Sequence, residues 1–213
     1  MHGVARSDAS KVKLRTVDKR TAGRRARETR DRILEALGKL LTTMPYRNIR
    51  VTDVVKEVGT SPATFYQYFA DIESAVLALA QDVTKDAAGL KSLTEGASWA
   101  GKAGAASADK MVDGISAFFK DNEAVIRVLD MAALEGDARF RRVRTQLINS
   151  LTAPIAAAAG DSKEAKANAA AIVGLLAYTS GGRGADGGAT AAELRAAVTR
   201  LVHWGVTGRK LAG

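Results

Sequence analysis

The stretch VTDVVKEVGTSPATFYQYF (residues 51–69) decides how the rest of the chain is read. Val51, Val54, Val55 and Val58 recur at helical spacing. Valine is a mediocre helix former, so packing must carry this segment. Gly59 stops it. Ser61 then supplies an N-cap, and Pro62 suits the first helical position because an N–H there has no intrahelical acceptor. The pattern is helix, tight turn, short helix. Four of the chain's eleven Phe, Tyr and Trp residues fall within five positions of it: Phe65, Tyr66, Tyr68 and Phe69. Phe65 and Phe69 are four apart and share one face, which can anchor the helix to a core. Ala63, Tyr66 and Gln67 point elsewhere, and Thr64 and Tyr68 share a neighbouring face.

That outward set has the chemistry of a nucleic-acid reader. Tyr and Thr hydroxyls and helix N-terminal N–H groups suit phosphate oxygens. Gln67 can pair with adenine through two hydrogen bonds, and Ala63 or the Thr64 methyl can touch a thymine methyl. Spacing alone leaves another reading open, a short core helix whose tyrosines bond nearby backbone.

Upstream, Ile33, Leu34, Leu37, Leu40 and Leu41 mark one apolar helix face, with Arg32, Glu35 and Lys39 outside it and Pro45 ending it. Further upstream the composition changes. The net charge of the chain is +9, and residues 1–30 hold ten Lys/Arg against three acids, so most of that charge sits in the first seventh of the sequence. Such an arm lacks the apolar surface to fold alone. It acts either as an electrostatic anchor to a polyanion or as a solvated tail.

These residues together resemble the DNA-binding domain of the TetR family of bacterial transcriptional repressors. The matching runs are TRDRILEAL (29–37), VTDVVKEVGTSPATFYQYF (51–69) and DIESAVLAL (71–79). The resemblance implies that Pro62, Ala63, Thr64, Tyr66, Gln67 and Tyr68 face DNA, with Thr52 able to do so; Ser61 and Arg50 complete the expected set. Two departures stand out. The family usually places a phosphate-contacting Lys at the start of the fourth helix, where this chain has Ile72. Many members have Ser or Thr where Arg50 stands, so Arg50 is expected to donate to phosphate instead of capping. The basic arm offsets the contact missing at Ile72.

Downstream, Asp71 can cap a helix carrying Ala75, Val76, Leu79 and Val83. Asn122 and Asp137 are further candidate caps. A Gly/Ser-rich loop lies between 96 and 107, and SGGRGADGGAT (180–190) is a flexible break. No convincing β alternation or internal repeat occurs. The expectation is an all-α chain of about nine helices: a flexible basic arm (1–27), a helix-turn-helix domain (28–70) and a helical ligand-binding and dimerisation domain (71–213). The resembled family dimerises through its last two helices and encloses an apolar pocket. By that analogy Ile172, Leu176, Leu194, Val198, Leu201 and Val202 are candidates for the dimer interface. Trp99, Phe118, Phe119, Met131, Phe140 and Tyr178 are candidates for ligand contact, with core packing as the alternative for each.

The chain has no Cys, which excludes disulfides, thiolate catalysis and Cys-ligated zinc. Its two His, His2 and His203, are far apart in sequence. No GxSxG elbow, P-loop, dinucleotide fingerprint or His–carboxylate cluster is present. GGRGADGG superficially resembles a phosphate loop but lacks the GK[ST] ending and follows a helix. No cofactor or metal is expected, no enzyme, no membrane span and no signal peptide. The expected protein is a cytoplasmic, ligand-responsive repressor. It would bind a palindromic double-stranded operator as a homodimer and be released by a small apolar or amphipathic effector. A ligand-free architectural DNA binder is the alternative.

Overall fold

The computed structural model describes residues 9–180 and 188–208, with side chains from residue 23 onward. Nine α-helices occur among the described residues, and no strand. They are α1 (Ala9–Thr43), α2 (Val51–Val58), α3 (Pro62–Tyr66), α4 (Ile72–Gly89), α5 (Gly101–Asp121), α6 (Glu123–Leu134), α7 (Ala138–Ala158), α8 (Lys163–Ser180) and α9 (Ala191–Thr207). Short 3-10 turns at Tyr46–Asn48 and Leu90–Leu93 follow α1 and α4. The chain divides into two compact units, residues 1–76 and 77–213, with the division inside α4.

The first unit is built on α1, whose Ile33, Leu34, Leu37 and Leu41 are buried as their spacing predicts. Helix α2 packs on α1 through Val54, Val55 and Val58, and α3 packs on α2. The arm expected to be flexible is helical backbone from Ala9 onward, continuous with α1. Once residues 28–43 are fixed by packing, the costly nucleation step is already met. The Arg-, Lys- and Ala-rich segment then only has to propagate, and those residues propagate helix well.

The second unit is a helical bundle. Helix α7 packs on α6 and α8, α5 packs on α8 and α9, and α8 packs on α9. Its interior is aliphatic and aromatic, with Met111, Leu129, Phe140, Leu147, Ile155 and Leu176 fully buried. Asp137 caps α7 as expected, accepting from the Arg139 and Phe140 N–H groups at 2.7 and 3.4 Å. Asn122 does not cap α6. Its side chain instead donates back to the Phe118 carbonyl at 2.9 Å, closing the end of α5. Helix α7 also runs through Pro154, which forgoes the N–H that would reach the Ser150 carbonyl. Helix α9 opens with a capping box in which Thr190 Oγ1 accepts from the Glu193 N–H while the Glu193 carboxylate accepts from the Thr190 N–H. Residues 181–187, most of the expected flexible break, lie outside the described residues.

Candidate nucleic-acid interface

Helix α3 is a single turn and a half, so its orientation depends on what grips its ends. Gly59 closes α2 in the left-handed region (φ 72°), a geometry open to glycine at little cost. Its N–H and that of Thr60 return to the Lys56 and Val55 carbonyls at 3.3 and 2.9 Å. Ser61 Oγ accepts from the Thr64 N–H at 3.2 Å and lies 3.0 Å from the Thr64 hydroxyl. Phe65 is fully buried and Phe69 nearly so, with ring centroids 5.6 Å apart. These two rings are the anchors that the i, i+4 spacing predicts.

The rest of the expected DNA-facing set falls on the outside of the first unit. Arg50, Thr52, Ser61, Pro62, Ala63, Tyr66 and Gln67 are exposed, and Thr64 and Tyr68 are half-buried. Tyr66 stands out at 58 % exposed, an aromatic ring left in water while its neighbour Phe65 is wholly covered. The two rings meet edge to face at 5.7 Å, so the buried ring braces the exposed one. Arg50 occupies the N-cap position of α2, but a guanidinium has no acceptor and makes no cap bond. Its backbone N–H is taken by Asp53 Oδ2 at 2.8 Å, and its side chain is exposed. Ser74 N–H donates to Asp71 Oδ1 at 2.6 Å, so Asp71 caps α4 as its sequence suggests, and Ile72 beside it is half-buried. Sequence patterns did not single out Arg30 and Arg32. The Arg30 guanidinium lies 5.8 Å from the Phe69 ring centroid, and Arg32 Nη2 donates to the Val58 carbonyl at 2.6 Å.

In the second unit a cleft with a volume of about 660 Å³ opens between α6, α7 and α8. Phe119, Met131 and Tyr178, three of the six candidate ligand residues, line it. Leu134, Leu147 and Val173 join them, and these three were not anticipated. Leu134 is 85 % exposed, so the cleft mouth offers apolar surface to solvent. Arg144 Nε donates to Asp130 Oδ1 at 2.6 Å across the α6–α7 side of the cleft, and Glu123 and Arg127 add charge to its lining. The other three candidates are placed differently. Phe140 and Phe118 are buried in the bundle, and Trp99 lies away from the cleft, in the segment that leads into α5. An aromatic at helical spacing serves the core wherever the bundle is well filled.

The candidate dimer residues also divide. Ile172, Leu176, Val198 and Val202 are largely buried within the chain. At the α8–α9 seam Ile172 Cδ1 lies 2.9 Å from where a Cβ on Gly205 would stand, so a side chain at 205 would push the isoleucine terminus aside. Asn168 Nδ2 reinforces the seam by donating to the Gly205 carbonyl at 3.3 Å. Leu194 borders a smaller groove with Val112 and Val198, where Arg195 grips Asp113 through two bonds of 2.9 and 2.8 Å and Asp109 through one of 3.1 Å. Leu201, 48 % exposed, is the member of the set that stays well open to solvent.

An all-helical chain with a helix-turn-helix unit followed by a larger helical bundle has the architecture of a TetR-like transcriptional regulator. The chain belongs to that family: the profile described as "Tetracyclin repressor-like, C-terminal domain" matches residues 90–213, more than half of its length. Solved structures agree on the fold. A transcriptional regulator from Rhodococcus sp. Rha1 superposes with a TM-score of 0.66 at 13 % identity, over 86 % of this chain and 99 % of its own. A TetR-family regulator from Streptomyces coelicolor gives 0.66 at 15 % identity, over 84 % and 79 %. The fatty acid degradation regulator FadR from Bacillus halodurans gives 0.61 at 15 % identity, over 84 % and 95 %. No curated protein sequence matches the chain. Among the described residues, no helix is long and apolar enough to cross a membrane.

Proposed function

We propose that this regulator is a repressor that reads a palindromic operator as a homodimer, with α3 in the major groove, and that a small amphipathic molecule releases it. One observation carries the DNA half of this reading. Helix α3 buries Phe65 and Phe69 and leaves Tyr66 and Gln67 in water, an arrangement that a purely structural helix of five residues has no reason to keep. Tyr66 donates to phosphate, Gln67 reads a base edge, and Arg50 and Thr52 steady the entry of the head into the groove. A dimer would present two such helices about one DNA turn, roughly 34–36 Å, apart. The cytoplasm, where the DNA lies, is its place of action.

The cleft between α6, α7 and α8 supports the ligand half. Its apolar lining and charged rim suit a molecule with a hydrophobic body and a polar end. Such a molecule releases the operator only by binding the DNA-incompetent state of the dimer more tightly than the competent one. Helix α4 is the covalent link between the two units and the natural carrier of that signal. For the dimer, Leu201 and the exposed small residues of α8, such as Ala167, Ala171 and Gly174, are the accessible contact surface.

The test is selection of duplexes from a random-sequence pool with the full chain, followed by footprinting and sedimentation. The expected result is an inverted repeat bound by a dimer. A monomer at micromolar concentration that shows no site preference refutes the reading. Screening hydrophobic metabolites, antibiotics and acyl-CoA compounds by thermal shift, then by release of the selected duplex, tests the effector. If no compound alters DNA binding, the ligand-free architectural binder replaces it.

A further inference from the structure

Helix α1 holds the chain on both sides of α3 through two arginines only two positions apart. On the near side, the turn at Gly59 uses the carbonyls of Val55 and Lys56. The carbonyl of Val58, the last residue of α2, lies beyond them, and Arg32 Nη2 donates to it at 2.6 Å across 26 residues of sequence. A guanidinium at a helix C-terminus meets the negative end of the helix dipole, and a charge-assisted bond is stronger than a neutral one. On the far side, Phe69 packs on Phe65 and carries the Arg30 guanidinium over its ring. Between the Val58 carbonyl and the cap of α3 at Ser61 there are only two residues, so little chain is available to absorb a change at Val58.

From this we infer that Arg32 is a positioning residue for sequence reading: by holding the Val58 carbonyl it sets the angle at which α3 offers Gln67 and Tyr66, and it does so without touching DNA. The inference rests on the DNA-reading function proposed above. It carries a distinct signature. Bonds to base edges demand orientation, whereas attraction to phosphate does not. Loss of Arg32 should therefore weaken binding to the right sequence far more than to a wrong one. The number of phosphates neutralised, and with it the salt slope, should stay the same.

The experiment uses the full chain, the duplex recovered by selection, and a scrambled duplex of equal composition. Arg32→Met keeps the aliphatic stem and removes the donor. It is expected to bind the selected duplex about tenfold more weakly and the scrambled duplex within about twofold of the original, with an unchanged log–log salt slope. Arg32→Lys keeps a charge and a donor and should lose only about threefold in selectivity. A slope lowered by about 0.9, with both duplexes weakened alike, would make Arg32 a direct phosphate contact and overturn the inference. Unchanged selectivity in the Met variant overturns it equally. Should the Met variant melt below the assay temperature, the Lys variant decides: reduced selectivity at wild-type slope and melting temperature supports the inference, and wild-type selectivity refutes it. A chain that selects no duplex at all overturns both this inference and the function beneath it, whereas a selective chain with a fully selective Arg32→Met variant overturns this inference alone.

Discussion

The helix pair α2–α3 and the helix pair α8–α9 are each assigned by their sequence to a binding face. Their fates differ. In α3 the assignment of sides holds: the two phenylalanines are buried and Tyr66 and Gln67 are exposed. In α8 and α9 four of the six residues expected to meet a partner are enclosed by their own chain. The cause lies in composition. Around α3, aromatic anchors alternate with polar residues, so a burial pattern has one consistent solution. Helix α8 reads KEAKANAAAIVGLLAYTS, in which small and apolar residues surround most of the cylinder. A helix that is apolar nearly all round does not say which side meets its own bundle and which is left for another molecule.

The comparison is sharpened most by Phe65→Ala. The side chain is fully buried, so the first unit should lose about 3–5 kcal/mol. Urea unfolding and hydrogen exchange across residues 51–69 would register the loss, and a loss below about 1 kcal/mol would show that Phe65 is not the anchor. Next comes a pair on α8 and α9. Leu176→Ala should cost about 2–5 kcal/mol of stability as a core deletion. Leu201→Ala, at a half-exposed site, should change stability by less than about 0.5 kcal/mol while shifting self-association in sedimentation. The reverse pattern would restore the partner-facing role of Leu176.

Smaller effects are expected at the reading surface. Tyr66→Phe and Gln67→Ala should keep the melting temperature and weaken operator binding by about 1–3 kcal/mol each. Tyr66→Phe should do so for all sequences alike, and Gln67→Ala by relaxing preference at one base pair. Normal affinity in both variants would move the interface off this face. Deleting residues 1–27 removes nine of the arm's ten cations. If two or three of these reach phosphate at once, the log–log salt slope should fall by about 2–3. An unchanged slope would make the arm a passive extension of α1.

The smallest effect concerns α9. The backbone N–H of Thr190, and then its hydroxyl, hold the Glu193 carboxyl below its usual value. A lowered folded value stabilises the capping box above the ordinary glutamate value of about 4.3. That contribution disappears as pH falls through the lower folded value. Exchange of the first-turn amides of α9 should therefore quicken in acid relative to the other helices. Glu193→Gln should remove that acid dependence, and the same pH response in wild type and variant would exclude the box as its source.

Much of this protein was legible before any tertiary contact was known. Helix ends were fixed by chemistry confined to a few residues: the stop at Gly59, the caps at Ser61, Asp71 and Asp137, and the i, i+4 pair of Phe65 and Phe69. The stop and the caps act through a backbone bond within five residues, so no distant partner can change them much. Asn122 was the local signal that misled: its Nδ2 donates to the Phe118 carbonyl one turn behind it, and its side chain accepts no bond from the first turn of α6. The tertiary structure alone decided three other things. It selected which of the large side chains line the α6–α7–α8 cleft, placing Phe119, Met131 and Tyr178 there while Phe118 and Phe140 fill the core. It took Ile172 into the seam with Gly205, in a stretch of α8 (169–177) that has no polar residue to mark its outside. It brought Arg32 to the Val58 carbonyl across 26 residues, a contact no short-range pattern encodes. Burial against distant chain depends on which surfaces remain free once the other helices have packed, and a periodicity read along one helix carries no record of that.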